Sequence, residues 1–341
     1  MKLAILFLLI ANPLWAVTLY HTDTFSSGTV EGWAGGAAPI TQLGGPAGAA
    51  DEVLQISSNG GLGTGGHLAT HNEEPVWLGN YSLAGVEAIS LDLMVPPAFP
   101  ALEIRMVLFG PLSFDERWTS TIQKMVPNDG VWRHYQFSLA EADLTHVAGT
   151  ATYPQLSSDV ISVMFRHDPG GPSVGGTAIV GRMGLDNIHL TACDFDQDGD
   201  CDIADLDTLT MAITGGSGNL NLDANGDGTL TPADVARWRL DAGFRNRGAS
   251  YLAADANLDG VVDGTDFNVW NTHKFTATGK WSQGDFSVDG VTDGTDFNTW
   301  NGLKFTSSDS STTAVPEPTF SAGLFILMSW SMAKWFRPRT S

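Results

Sequence analysis

Positive charge is scarce in this sequence. Its 341 residues carry 17 Lys+Arg against 38 Asp+Glu, a formal net charge of −21. No basic surface is available to displace counterions from phosphates, which excludes nucleic acid as a partner. Catalytic signatures are missing as well. There is no Gly-x-Ser-x-Gly elbow and no phosphate-binding loop. No strand carries Glu-x-Asp-x-x-Glu, whose alternate carboxylates would stand about 5.5 Å apart for retaining glycoside hydrolysis. Glu73-Glu74 and Asp115-Glu116 are adjacent pairs, so in a strand they point to opposite faces. His67 and His71 sit in a Gly-rich stretch without a third ligand, and His134, His146 and His167 are scattered, so all five read as surface residues. Cysteine is nearly absent, with Cys193 and Cys201 the two in the chain.

What is present is acid in a fixed pattern. Four twelve-residue loops run Asp194–Asp205, Asp223–Asp234, Asp255–Asp266 and Asp285–Asp296. Positions 1, 3 and 5 are Asp194, Asp196 and Asp198 in loop one, and Asp223, Asn225 and Asp227 in loop two. In loops three and four they are Asp255, Asn257 and Asp259, then Asp285, Ser287 and Asp289. Position 6 is always Gly, which permits a sharp turn, and position 12 is Asp205, Asp234, Asp266 or Asp296. Position 7, namely Asp200, Thr229, Val261 or Val291, contributes a backbone carbonyl and varies freely. Asp202, Asp263 and Asp293 add carboxylates at position 9. Two like charges about 4 Å apart cost about 4 kcal/mol at an effective dielectric near 20. A hard cation taking six to eight oxygens reverses that sign, so the spacing predicts about four calcium ions.

Loop, Asp at position 12 and then a short helix resembles the calcium-binding repeat of type I dockerins, an EF-hand-type module that plugs proteins into cohesins. Each dockerin holds two repeats, so the resemblance implies two tandem units, 193–247 and 248–306. It further implies a cohesin-like partner, and short bridges between position-8 residues, Cys201 to Leu230 and Val262 to Thr292. At positions 10 and 11, where dockerins carry small hydroxyl residues, loops three and four have Gly264-Thr265 and Gly294-Thr295; loops one and two have Ile203-Ala204 and Pro232-Ala233. After the loops, Leu206, Leu209 and Ile213, Val235 and Trp238, Phe267 and Trp270, and Phe297 and Trp300 give each helix one apolar face. Cys193 and Cys201 flank loop one, and a disulfide across it is one state open to them. A rival for the region is a calcium-stiffened stalk resembling thrombospondin type 3 repeats.

Residues 17–192 alternate apolar and polar. Ile89 to Val95, Leu102 to Leu108, Tyr135 to Leu139 and Ile161 to Phe165 do so, separated by Pro and Gly turn signals. Many short strands with one buried face predict an antiparallel β-sandwich. Asp23-Thr24-Phe25, Gly32-Trp33, Gly130-Val131-Trp132 and the closing Leu185 to Leu190 resemble the jelly-roll carbohydrate-binding modules of galactose-binding-like fold. That resemblance implies adjacent first and last strands, one structural calcium at Asp23 and Asp186, and an extracellular polysaccharide or matrix ligand. Trp77, Tyr81, Trp118 and Trp132 are candidate sugar platforms; Trp77 and Trp118 are favoured because polar turn residues adjoin them.

The ends of the chain carry addresses. Residues 1–16 read as a secretory signal peptide, basic at Lys2 and then apolar. A polar linker at 307–314 precedes Val315-Pro316-Glu317-Pro318, an apolar stretch to Ala333, and Lys334, Arg337 and Arg339. This tail, 315–341, resembles the PEP-CTERM sorting signal read by exosortase, with Pro316, Glu317 and Pro318 as its motif. Its short transmembrane helix would span about 22 Å, less than the ~30 Å hydrocarbon core. The resemblance implies export, transient anchoring in the inner membrane, then release or attachment outside. The whole predicts a multidomain, non-enzymatic, secreted calcium-binding protein. The rivals are a dockerin-bearing glycoside hydrolase of polysaccharide catabolism and a ligand-free stalk.

Overall fold

The computed structural model describes residues 17–308, with residues 64 and 112 excepted. The expected export segment at 1–16 and the sorting motif at Pro316, Glu317 and Pro318 lie outside the described residues. None of the described helices is long and apolar enough to cross a membrane.

The chain opens with β1 (Thr22–Asp23), β2 (Ala34–Gly35), β3 (Ile40–Gly45), β4 (Gly48–Asn59) and β5 (Ala69–Asn72). A one-turn helix, α1 (Tyr81–Ala84), leads to β6 (Ala88–Met94), β7 (Leu102–Phe109) and β8 (Arg117–Ser120). Then come β9 (Lys124–Val126), β10 (Arg133–Ser138), β11 (Leu144–Ala148), α2 (Tyr153–Ser157), β12 (Ser162–His167) and β13 (Val180–Thr191). These strands build two antiparallel sheets. One runs β10-β6-β13-β4-β3 with β1 on β13, and the other runs β11-β8-β7-β12-β5-β2 with β9 on β7. First and last strands are neighbours, Thr22 opposite His189.

Period-two patterning explains why the sheets pack. Leu91 and Leu93 of β6, Ile104, Met106 and Leu108 of β7, Phe137, Val163, Phe165, Leu185, Ile188 and Leu190 all turn inward and are buried in one cluster. Each such side chain stabilises the fold by about 1.5–3 kcal/mol. The sequence expectation of an antiparallel sandwich therefore holds.

The acidic repeats form α3 (Ile203–Thr214), α4 (Pro232–Arg247), β14 (Val261–Val262), α5 (Gly264–His273), β15 (Thr276–Ala277), β16 (Val291–Thr292), α6 (Gly294–Leu303) and β17 (Thr306–Ser307). Their apolar faces meet as periodicity predicts. Leu206, Leu209, Val235 and Trp238 are buried together, and Phe267 meets Trp300 as Trp270 meets Phe297, each with centroids 5.0 Å apart. The expected position-8 bridge in loops three and four is corrected. Val262 pairs with Thr306, and Thr292 pairs with Thr276. Each loop strand thus borrows the segment after the other repeat's helix, because Phe305 N–H reaches the Val262 carbonyl and Phe275 N–H that of Thr292, both at 2.6 Å. Nor is a Cys201–Leu230 bridge among the pairings of the described residues. Ser308 N–H also donates to the Gly260 carbonyl at 2.9 Å, so the stretch read as linker begins inside the fold.

The two sheets meet different neighbours on their outer faces. On the β10–β6–β13 side, the outward residues Ser90, His134, Gln136 and His189 lie under α4. Arg237 donates to Ser90 Oγ at 2.7 Å, Gln136 Nε2 donates to the Asp241 carbonyl at 3.2 Å, and Phe244 meets the His134 ring edge-on at 4.7 Å. Glu87 adds an ion pair to Arg245 at 2.7 Å. The outward face of β5, β7, β8 and β12 instead carries an open groove.

Candidate functional site

The four loops repeat one backbone geometry. Asp at position 1 accepts from the N–H of position 6, at 2.9 Å for Asp194 to Gly199, 2.8 Å for Asp223 to Gly228, 2.7 Å for Asp255 to Gly260 and 2.9 Å for Asp285 to Gly290. That closure needs the left-handed backbone of Gly199, Gly228, Gly260 and Gly290, whose φ values are 105°, 85°, 84° and 91°. Asp at position 12 is the third helical residue. It reaches back to the N–H of position 9, as Asp205 to Asp202 at 2.8 Å, and Asp234, Asp266 and Asp296 to their partners at 2.7 Å. The result is a capping box at the start of α3, α4, α5 and α6. Asp205 thus caps its helix through Oδ2 and faces the loop through Oδ1, which accepts from the Phe195 N–H at 2.6 Å.

These carboxylates are buried with their own kind. Asp205, Asp234, Asp255, Asp266, Asp285 and Asp296 have no exposed surface. Burial, opposed by backbone N–H donors and reinforced by Asp266 and Asp259, pushes the Asp255 carboxyl up to about 6. Burial likewise raises Asp205, Asp234, Asp266 and Asp285. Oδ2 of Asp205, Asp234, Asp266 and Asp296 accepts a single backbone bond in each case and retains a lone pair. The donor set is hard oxygen throughout and fits a calcium-sized cation rather than a soft metal.

Cys193 and Cys201 are joined in a disulfide, with Cα atoms 5.4 Å apart. The bond encloses positions 1 to 7 of loop one. Trp238 Nε1 donates to the Cys193 carbonyl at 2.8 Å, and Glu87 and Arg245 lie against the sulfurs.

In the sandwich, Asp23 and Asp186 take separate roles. Asp23 Oδ2 accepts from the indoles of Trp33 at 2.7 Å and Trp77 at 2.9 Å, while Oδ1 meets His21 at 2.7 Å. It is the hydrogen-bond centre of an aromatic cluster. Asp186 Oδ1 is buried without a partner, and burial, then the neighbouring carboxylates of Asp51, Asp92 and Glu31, push its carboxyl up to about 7. Of the two, only Asp186 keeps the orphaned oxygen a cation would satisfy.

Trp77 and Trp118 are not sugar platforms. Trp77 has no exposed surface, because Asp23 supplies a buried acceptor for its N–H. Trp118 is 9% exposed, its ring stacked on His146 at 4.9 Å and its N–H given to the Ala151 carbonyl. His134 and His167 also depart from the surface reading. The His134 side chain is 12% exposed against Asp92, and buried His167 accepts from the Glu103 N–H.

The open groove was not among the sequence candidates. It holds about 450 Å³ and is lined by Ala69 and His71 of β5, Phe109, Phe114, Arg117, Ser162, Met164 and Arg166, with Val174 and Gly175 at one rim. Of its lining residues Glu73 alone is a carboxylate, paired with His71 at 3.3 Å. Ser162 Oγ and Arg166 Nε are buried in its floor without hydrogen-bond partners. Buried Arg105 fixes the adjoining loop by donating to the Asp168 carbonyl at 3.1 Å, and to the Ser120 and Thr121 carbonyls. Sequence offered one signal, arginines at outward strand positions.

No protein-family profile and no curated protein matches the chain. Among solved structures, it is similar to a family 11 carbohydrate-binding module from Clostridium thermocellum in complex with a mixed-linked β-1,3-1,4 tetrasaccharide. Identity is 18%, coverage 51% of this chain and 96% of that one, and the TM-score 0.34. It is also similar to a family 22 xylan-binding domain from Paenibacillus barcinonensis, at 10% identity, 51% and 96% coverage, and TM-score 0.32. A non-crystalline-cellulose-specific module of family 28 matches at 13% identity, 52% and 97% coverage, and TM-score 0.29.

Proposed function

We propose that this chain is an exported, non-enzymatic protein that binds extracellular polysaccharide through the groove on the β5–β12–β7–β8 face, on a scaffold stiffened by calcium. The observation that carries the binding reading is the groove itself, about 450 Å³, with the Phe109 and Phe114 rings and the Arg117 guanidinium in its lining. Aromatic and apolar walls with a few placed polar groups are the lining against which a sugar ring packs. On the opposite sheet, α4 lies over the outer side of β6 and β10.

Calcium is supported by the buried carboxylates at position 12 of all four loops and at position 1 of loops two, three and four. When bound, the ion neutralises that charge. Asp194, Asp223, Asp255 and Asp285 would hold it from one side and Asp205, Asp234, Asp266 and Asp296 from the other. Asp186 is the residue of the sandwich that fits a further ion. Docking through the second pair of repeats is favoured by Phe275 and Phe305, 76% and 79% exposed at equivalent places after α5 and α6. A cohesin-like partner would be the corresponding receptor, and exosortase the processor of the tail.

The test is the full chain on a glycan array in calcium buffer, followed by affinity electrophoresis. Retention by at least one polysaccharide is expected, and silence on every glycan defeats the binding reading.

A further inference from the structure

Resting on that polysaccharide-binding reading, we infer that the groove selects an anionic sugar, whose carboxylate or sulfate is taken by Arg117. Arg117 is held rigidly. Its Nε donates to the Phe114 carbonyl at 2.8 Å, its Nη1 donates to the Val174 carbonyl at 3.0 Å, and its guanidinium lies 5.4 Å from the Phe109 ring centroid. The Nη2 edge makes no hydrogen bond among the described residues.

Arg166 comes to the same carbonyl. Its Nη1 donates to Val174 at 2.8 Å, so one backbone oxygen gathers two guanidinium groups. Like charges so placed repel unless anions lie near. Arg166 has its anion, Asp168, at 3.0 Å. Arg117 has no ion-pair partner among the described residues, in a chain whose net charge is −21. Glu73, the groove's carboxylate, is engaged by His71. An unpaired, pre-oriented guanidinium edge matches a planar carboxylate or a sulfate oxygen pair, and binds either with charge-assisted hydrogen bonds. A neutral glycan leaves that charge uncompensated. The wider acidity of the chain repels polyanions elsewhere on its surface, so capture of one is local to this groove.

The experiment uses the full chain with calcium and three pairs of probes in affinity electrophoresis at fixed salt. Polygalacturonate is set against its methyl ester, dextran sulfate against dextran, and mixed-linked β-glucan stands with xylan as neutral controls. Retention at least tenfold stronger for polygalacturonate or dextran sulfate than for the neutral partner is expected, and whichever of the two is retained identifies uronate or sulfate. Arg117→Gln should abolish that preference, and Arg117→Lys should restore part of it, with an unchanged melting temperature reporting intact folding. Equal or stronger retention by neutral glycans, or a preference surviving Arg117→Gln, overturns the anionic assignment and leaves polysaccharide binding standing. Retention by none of the probes overturns both.

Discussion

Arg237 on α4 donates to the hydroxyl of Ser90 on β6 at 2.7 Å, and the same guanidinium grips Asp241 at 2.7 Å. The acidic repeats are therefore fastened to the outer face of one sheet by a hydrogen bond from a guanidinium that an ion pair within α4 holds in place. Asp241 is 1% exposed, so removing its partner strands a charge. Arg237→Ala should cost about 3–5 kcal/mol, the price of breaking a buried pair. Urea unfolding of the variant checks it, and a loss below one kcal/mol on the order of a surface pair would contradict the role.

Calcium titration follows the same logic one loop at a time. Under the calcium proposal, Asp266→Ala removes a cap and a proposed ligand together, so calorimetry should lose one site in about four. Its helix signal should fall modestly in calcium and further in chelator. Unchanged stoichiometry would take Asp266 out of the metal shell.

Acid should loosen the joint. Burial, then the Arg237 and His134 charges, hold the His189 imidazole well below the usual histidine range. The folded protein keeps it neutral, while the unfolded chain binds a proton below about pH 6.5. Stability therefore falls as pH drops through that value, by up to about 1.4 kcal/mol per unit. Asp241, whose carboxyl burial pushes up, works in the opposite direction nearer its own range. Comparing His189→Asn with the parent between pH 7 and 5 isolates the histidine, and a slope unaltered by the substitution would refute it.

Trp77→Phe separates core from platform. Losing the N–H that meets Asp23 should destabilise the sandwich by about 1–3 kcal/mol and leave polysaccharide retention unchanged. Thermal melts and affinity electrophoresis read the two effects independently.

The features legible in sequence were the local ones. A strand's inward face repeats every second residue, so β6, β7, β10 and β12 could be read directly. Loop positions 1, 6 and 12 carry their own offsets, and the backbone bonds of Asp255 to Gly260 and Asp266 to Asp263 fall where those offsets put them. The groove was hidden because His71, Phe109, Arg117, Ser162 and Val174 come from separate strands and a loop. Trp77 misled because polar neighbours in a turn say nothing of ring direction, and its acceptor sits 54 residues earlier. Ser90 and Gln136 looked like a solvent face, and no local signal told that α4 would lie on them.

The exchanged strands after α5 and α6 have a mechanical consequence. β17 lies on β14, and Ser308 is tied to Gly260, inside loop three. A pull transmitted from beyond residue 308 is borne first by that ladder, beside Asp259 and Asp263, before α6 is strained. With a cation in loop three, the turn that holds β17 would be stiffened, so the ladder's resistance to such a pull would rise with calcium.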